Sequence, residues 1–223
     1  MKFGPPIVTN GLILYLDAAN RKSYRGTGNS WLDLSGNNRN GTLNNFGATP
    51  FNNINGGAIT FDGTDDYVSG TLPSTSTWTI NLWFYSTDIT SKLVFYIFSG
   101  TLDVASGIGF GGTYVTETQN RWWWGDNFAY SNANMAITTN TWYNLTVTDN
   151  GSSNFNFYTN GVLSYGPVFI SSRTLDTYNI GRRASSDAWY ANGKMATTSV
   201  YNRVLSAAEV LQNYNATKTR FGL

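Results

Sequence analysis

Histidine and cysteine are absent from this 223-residue chain, and glutamate occurs only twice, at Glu117 and Glu209. Those absences remove most of the side chains that titrate near neutral pH, attack as thiolates or ligate transition metals. Without cysteine no disulfide supports the fold, and the redox compartment is not readable. Charge is scarce too: 12% of residues are charged, about half the ~25% usual for soluble domains. Fourteen basic and thirteen acidic residues leave +1, too little to steer the protein toward nucleic acid or anionic lipid. The longest bulky apolar run spans positions 93–98, far short of the ~20 residues of a membrane-crossing helix. The start, Met1-Lys-Phe-Gly-Pro-Pro6, carries no apolar stretch of signal-peptide length, so export by that route is not expected.

What the chain does have is 8 Trp, 14 Tyr, 13 Phe and 27 Asn. Aromatic rings and amides suit surface contact better than bond-breaking, and a binding or structural module is the expectation. Period-2 alternation dominates the pattern. In residues 78–85, Trp78, Ile80, Leu82 and Phe84 face one way and Thr79, Asn81, Trp83 and Tyr85 the other, as in a half-buried strand. Tyr143, Leu145 and Val147 alternate likewise with Trp142, Asn144, Thr146 and Thr148. Asn160-Gly161 is a type I′ hairpin signal, and further Asn-Gly or Asp-Gly steps punctuate the chain. One helix is signalled, by the Ser206/Glu209 capping box with Leu205 and Val210 as hydrophobic staple. Ala207, Val210, Leu211 and Tyr214 give it one apolar face. The prediction is an all-β antiparallel sandwich with one short C-terminal helix: an N-terminal arm at residues 1–9, then one domain over 10–223.

Several stretches, in series, carry a family resemblance. They are Gly11-Leu-Ile-Leu-Tyr-Leu-Asp17, Trp31-Leu-Asp-Leu-Ser-Gly-Asn-Asn38, Phe61-Asp-Gly-Thr-Asp-Asp-Tyr-Val68, Trp142-Tyr-Asn-Leu145 leading to Tyr158-Thr-Asn-Gly-Val162, and Val200-Tyr-Asn-Arg-Val-Leu-Ser-Ala-Ala-Glu-Val210. Together they resemble the laminin G-like, concanavalin A-like jelly roll. The ending, residues 211–223, resembles the tails of laminin G-like virion proteins of tailed bacteriophages, especially those of cyanobacteria. That resemblance implies a virion-surface subunit, a capsid decoration protein or a fibre knob. Its implied partners are major capsid or tail proteins, further copies of itself and host surface glycans. Such a subunit, assembled in the host cytoplasm, needs no signal peptide.

The same fold serves glycan binding, protein binding and glycan hydrolysis, so residues must decide. Glucanase-like relatives use a Glu-x-Asp-x-x-Glu strand, whereas Glu117 has no second carboxylate within five residues. No residue is assigned a catalytic or metal role, and no cofactor is expected. The glycan-binding candidates are Trp122, Trp124, Asp126 and Asn127, with Trp189 and Tyr190 as a second rim. An indole stacks on a sugar ring while amide and carboxylate grip its hydroxyls. The plainer reading has two of the three indoles at 122–124 fill the sandwich and the third support a subunit contact. Trp83 and Tyr85 are expected to pack against the chain termini or a partner. Asp62, Asp65 and Asp66 invite calcium, but read better as turn chemistry, with Asp65 an Asx-turn. Phe3, Pro5, Pro6 and Phe221 are candidates for attachment to a particle.

Overall fold

The computed structural model describes residues 5–47, 50–87, 95–98, 106–110, 121–125, 130–169, 174–182 and 190–223. Sixteen strands occur among them: β1 (Leu12–Asp17), β2 (Ser30–Trp31), β3 (Gly41–Asn44), β4 (Phe51–Asn52), β5 (Ala58–Asp62), β6 (Tyr67–Thr75), β7 (Trp78–Ser86), β8 (Phe95–Phe98), β9 (Ser106–Phe110), β10 (Arg121–Gly125), β11 (Tyr130–Ala136), β12 (Trp142–Asp149), β13 (Asn154–Thr159), β14 (Val162–Phe169), β15 (Leu175–Ile180) and β16 (Asn192–Tyr201). Helix α1 (Ala207–Thr217) follows. The first sheet runs β14-β13-β12-β7-β16-β5-β4, with β1 also on β16; the second runs β11-β10-β9-β8-β15-β6-β3-β2. The expected antiparallel sandwich with one short C-terminal helix is therefore present.

Turn chemistry sets the hairpins. Asn160 and Gly161 adopt φ of 52° and 78°, the two left-handed residues of a type I′ turn between β13 and β14. A side chain at Gly161 would also collide with Tyr214 of α1, so glycine lets the helix close over this hairpin. Asn144 fastens the same turn: its backbone N–H donates to Asn160 Oδ1 at 2.9 Å.

Between the sheets, Trp78, Ile80, Leu82 and Phe84 of β7 join Val68, Tyr178 and Ile180 of the second sheet in one core. Each fully buried side chain of this size contributes about 1.5–3 kcal/mol. The alternation in β7 is real, but the strand is not half-buried. Thr79, Asn81 and Trp83, on its other face, are buried as well. The outer face of the first sheet lies under the C-terminal segment: Trp83 stacks on Phe221 with centroids 3.9 Å apart and on Tyr214 at 5.8 Å. Its indole N–H donates to Thr217 Oγ1 at 2.7 Å. The polar members of that face satisfy one another, Asn81 Nδ2 reaching both Asn144 Oδ1 and Thr146 Oγ1.

The capping box forms as read, with Ser206 Oγ accepting from the Glu209 N–H and the Glu209 carboxylate accepting from the Ser206 N–H. Glu209 is further held by both Arg203 Nη atoms, at 3.0 and 2.6 Å. The helix face differs from the expected one. Val210 and Asn213 are buried, while Leu211 is exposed. Asn213 takes the buried place because both ends of its amide are used: Oδ1 accepts from the Val8 N–H, and Nδ2 donates to the Tyr201 hydroxyl. Tyr201 in turn donates to the Val8 carbonyl. The arm is thus tied to the helix, and Gln212 adds a bond to the Pro6 carbonyl.

Candidate functional site

Strand register decides which residues share the outer face of the second sheet. One row crosses all eight strands: Ser30, Thr42, Ser69, Asn179, Tyr96, Gly107, Gly125 and Tyr130. Ser30 and Thr42 are exposed, which fixes this row as the outward one. The neighbouring row runs Leu43, Val68, Ile180, Phe95, Ile108 and Trp124, and its first three members are core residues.

Backbone register divides the three indole positions of β10 between these two rows. Trp124, and Trp122 two residues before it, occupy core-facing positions of β10. Trp123 falls on the outward side, paired with Gly109 of β9 and Asn132 of β11. Positions beside Trp123 on this side include Gly107, Gly109 and Gly125, with Asn132 across on β11. Tyr67, paired with Asn44, lies on the same outward side, its ring capped by the Arg182 guanidinium at 3.6 Å. The face therefore interleaves aromatic positions with hydroxyl, amide and glycine positions. No ionisable acid stands in its main row.

The remaining candidates fall out differently. Tyr190 is buried and bridges to Arg182, so its ring is not offered to solvent. Asp126, Asn127, Trp189, Phe3 and Glu117 lie outside the described residues. Pro5 and Pro6 are exposed. Phe221 is not available for attachment: it is 8% exposed, wedged between Trp83 and Trp142. Beside it Arg220 pairs with Asp17 at 2.7 Å and donates to the carbonyls of Asn55 and Gly57. Asn55 answers from the other side, its Nδ2 donating to the Arg220 carbonyl and its Oδ1 accepting from the Trp142 indole. Trp83 packs against this C-terminal segment, as expected, stacking on Phe221, whereas Tyr85 meets Trp142 of the neighbouring strand β12 at 5.5 Å.

Asp62, Asp65 and Asp66 bring carboxylate oxygens within 4.8 Å of one another, the one such acidic trio among the described residues. A hard cation accepts oxygen ligands of this kind. Two of the oxygens already serve the turn. Asp62 Oδ1 accepts from the Thr64 N–H and Asp66 Oδ2 from the Asp62 N–H, so Asp62, not Asp65, makes the Asx-turn. Burial pushes the Asp66 carboxyl up to about 6, and the charges of Asp62 and Asp65 add to the rise. On the outer face of the first sheet, burial also lowers the Lys194 ammonium, which lies over the Tyr85 ring at 4.4 Å. No described helix is long and apolar enough to cross a membrane.

Two antiparallel sheets packed face to face over a common core, with a C-terminal helix against the outer face of the first, define a jelly-roll sandwich. Residues 62–211 match the family described as the concanavalin A-like lectin/glucanases superfamily, and the chain belongs to it. Among curated proteins, none matches it in sequence. Among solved structures it is similar to domain 4 of AbnA, a GH43 extracellular arabinanase from Geobacillus stearothermophilus, in complex with arabinotriose. That similarity has a TM-score of 0.69 at 16% identity, over 91% of this chain and 98% of that domain. It is also similar to Trypanosoma rangeli sialidase in complex with sialic acid, with a TM-score of 0.66 at 14% identity. There the match covers 94% of this chain but 33% of the sialidase, so the chain spans about a third of that protein. At these identities the likeness is one of fold.

Proposed function

We propose that this domain is a carbohydrate-binding module that holds a polysaccharide on the outer face of its second sheet and does not cleave it. The observation that carries this reading is Trp123, an aromatic position on a floor of Gly107, Gly109 and Gly125, flanked by the hydroxyl and amide positions of the outward row. An aromatic platform takes the C–H side of a sugar ring, and neutral polar neighbours take its hydroxyls. The trisaccharide on the similar arabinanase domain supports the same direction and suggests arabino-oligosaccharides as first probes. Against turnover, Asp66, whose carboxyl is raised, is buried and bonded within its own turn. Replacing Trp123 by alanine should weaken binding on a glycan array of the multimerised domain by about thirtyfold, the loss of one aromatic anchor. Trp124→Ala, on the core-facing row, should lower the melting temperature instead. Undiminished array binding by folded Trp123→Ala would refute the sheet face as the site.

A site of this openness implies a Kd near about 1 mM, only about −4.1 kcal/mol, so many copies must act together. The resemblance of residues 211–223 to phage virion tails supports display on a particle as the source of that multiplicity. Two further features support it: residues 6–8 and α1 lie on the first sheet's side, and the proposed glycan face is opposite. In this reading residues 1–6 contact a capsid or tail protein. Deleting them should remove the protein from purified particles while its melting temperature holds. Incorporation equal to that of the full chain would refute that contact.

A further inference from the structure

A cleft of about 390 Å³ opens at the far edge of the second sheet, lined by Gly28, Asn29, Leu43, Asn45, Phe46, Gly47 and Pro50. It lies wholly before residue 62, outside the stretch that matches the superfamily. Its volume is within the range of small-molecule sites, roughly 300–1,000 Å³. We propose that this cleft is a second carbohydrate subsite, which takes one terminal residue of an uncharged glycan end-on.

The lining has the two-sided chemistry that a sugar ring requires. Leu43 and Pro50 are buried and Phe46 is half-buried, its ring set edge-on against Phe61 at 5.1 Å. They form an apolar floor. Asn29 and Asn45 are exposed amides at the rim. Asn45 Nδ2 donates to the Asp65 carbonyl at 3.2 Å, which fixes the amide plane and turns the remaining polar atom to other uses. Among the described residues no lining side chain is charged, so a carboxylated or aminated sugar gains no ionic partner from them.

The rim is also pre-formed. The Tyr24 hydroxyl donates to the Gly28 carbonyl at 2.8 Å, and the Leu43 N–H donates to the Asn29 carbonyl at 2.8 Å. A cleft held open by bonds of this kind loses little entropy on binding. Glycine is what leaves it open: a Cβ at Gly28 or at Gly47 would meet nothing within 4 Å.

The cleft and the Trp123 platform are separate. Four strands stand between β3 and β10 in the sheet order, which sets them roughly 24 Å apart at about 4.8 Å per strand. The cleft proposal therefore does not depend on the sheet-face reading.

Gly47 supplies the test, because its backbone is outside the left-handed region and its Cβ direction is empty. Gly47→Trp should fill the cleft without disturbing the fold, as thermal melting checks. The probes are methyl glycosides of glucose, galactose and arabinose, with glucuronate as the charged control, followed by amide chemical shifts of the ¹⁵N-labelled full chain. At least one neutral glycoside should shift Asn29, Asn45 and Gly47 saturably. Affinity should fall about tenfold or more in Gly47→Trp and stay unchanged in Trp123→Ala. The proposal is overturned if no neutral glycoside shifts these amides, if Gly47→Trp leaves the shifts intact, or if glucuronate binds equally. A loss confined to Trp123→Ala would retain the sheet face and discard the cleft.

Discussion

Phe221→Ala should destabilise the domain by about 3–5 kcal/mol, the cost of emptying a buried phenylalanine site. For a chain of this size that corresponds to a melting temperature lower by about 10 °C. The figure is high because the ring stacks flat on Trp83 at 3.9 Å and meets Trp142 at 4.8 Å, so two indoles lose their cover together. Each of those indoles also spends its N–H on a neighbour that the same segment positions, Trp83 on Thr217 and Trp142 on Asn55. Glycan binding should not change, since the opposite sheet carries the proposed face. Differential scanning calorimetry beside the glycan array separates the two readouts. A melting temperature within a degree or two of the parent would mean that the C-terminal segment only lies against the sheet and does not support it.

The second large effect concerns pH. The Asp66 carboxyl is pushed up to about 6 by burial, against about 3.9 for an unfolded chain. Between those values the folded state keeps a proton that the unfolded state has released. Stability therefore falls as pH rises from about 4 to about 6, by about 2 kcal/mol, and is flat above. Glu209 acts with the opposite sign. The Arg203 guanidinium and the capping bonds hold its carboxyl at about 2, so its contribution is present above the usual carboxylate range and is lost as pH falls toward 2. Taken by themselves, these two contributions sum to their greatest stabilisation near about pH 4. Asp66→Asn keeps an oxygen to accept the Asp62 N–H and removes the ionisation, so it should stabilise the domain at pH 7 and flatten the limb between 4 and 6. Urea denaturation at a series of pH values reads both. A parent profile that climbs through that window, or coincides with that of Asp66→Asn, contradicts the buried-carboxylate account.

Much of the fold was legible locally. Asn160-Gly161, the alternation of β7 and β12, and the Ser206/Glu209 box each depend on neighbours within a few residues, and each forms as the sequence implies. What was not legible depended on partners distant in the chain. The alternation of residues 121–125 separates Trp123 from Trp122 and Trp124, but which side faces the core is fixed only by pairing with β9. A usable signal lay there: Gly107 and Gly109 alternate with Ile108 and Phe110, which already assigns one face of β9 to glycine. Nothing local signals the burial of Asn213, because its partners, Val8 and Tyr201, are 205 and 12 residues away. Tyr190 and Phe221 were read as exposed because nothing in their own segments shows what covers them. The cleft was invisible for the same reason, its walls coming from two loops whose meeting depends on β2 being laid beside β3.

The pairing of Arg220 with Asp17 joins residues 203 positions apart, and Phe221 closes over a strand that itself ends at residue 86. Nascent chain leaving the ribosome must therefore wait with a finished sheet surface uncovered, its indoles wetted, until residues 220–221 have emerged. That surface is complete only once β16, Asn192–Tyr201, has joined it, so chaperones or sister chains have the short stretch of synthesis from there to residue 220 in which to reach a box still without its lid.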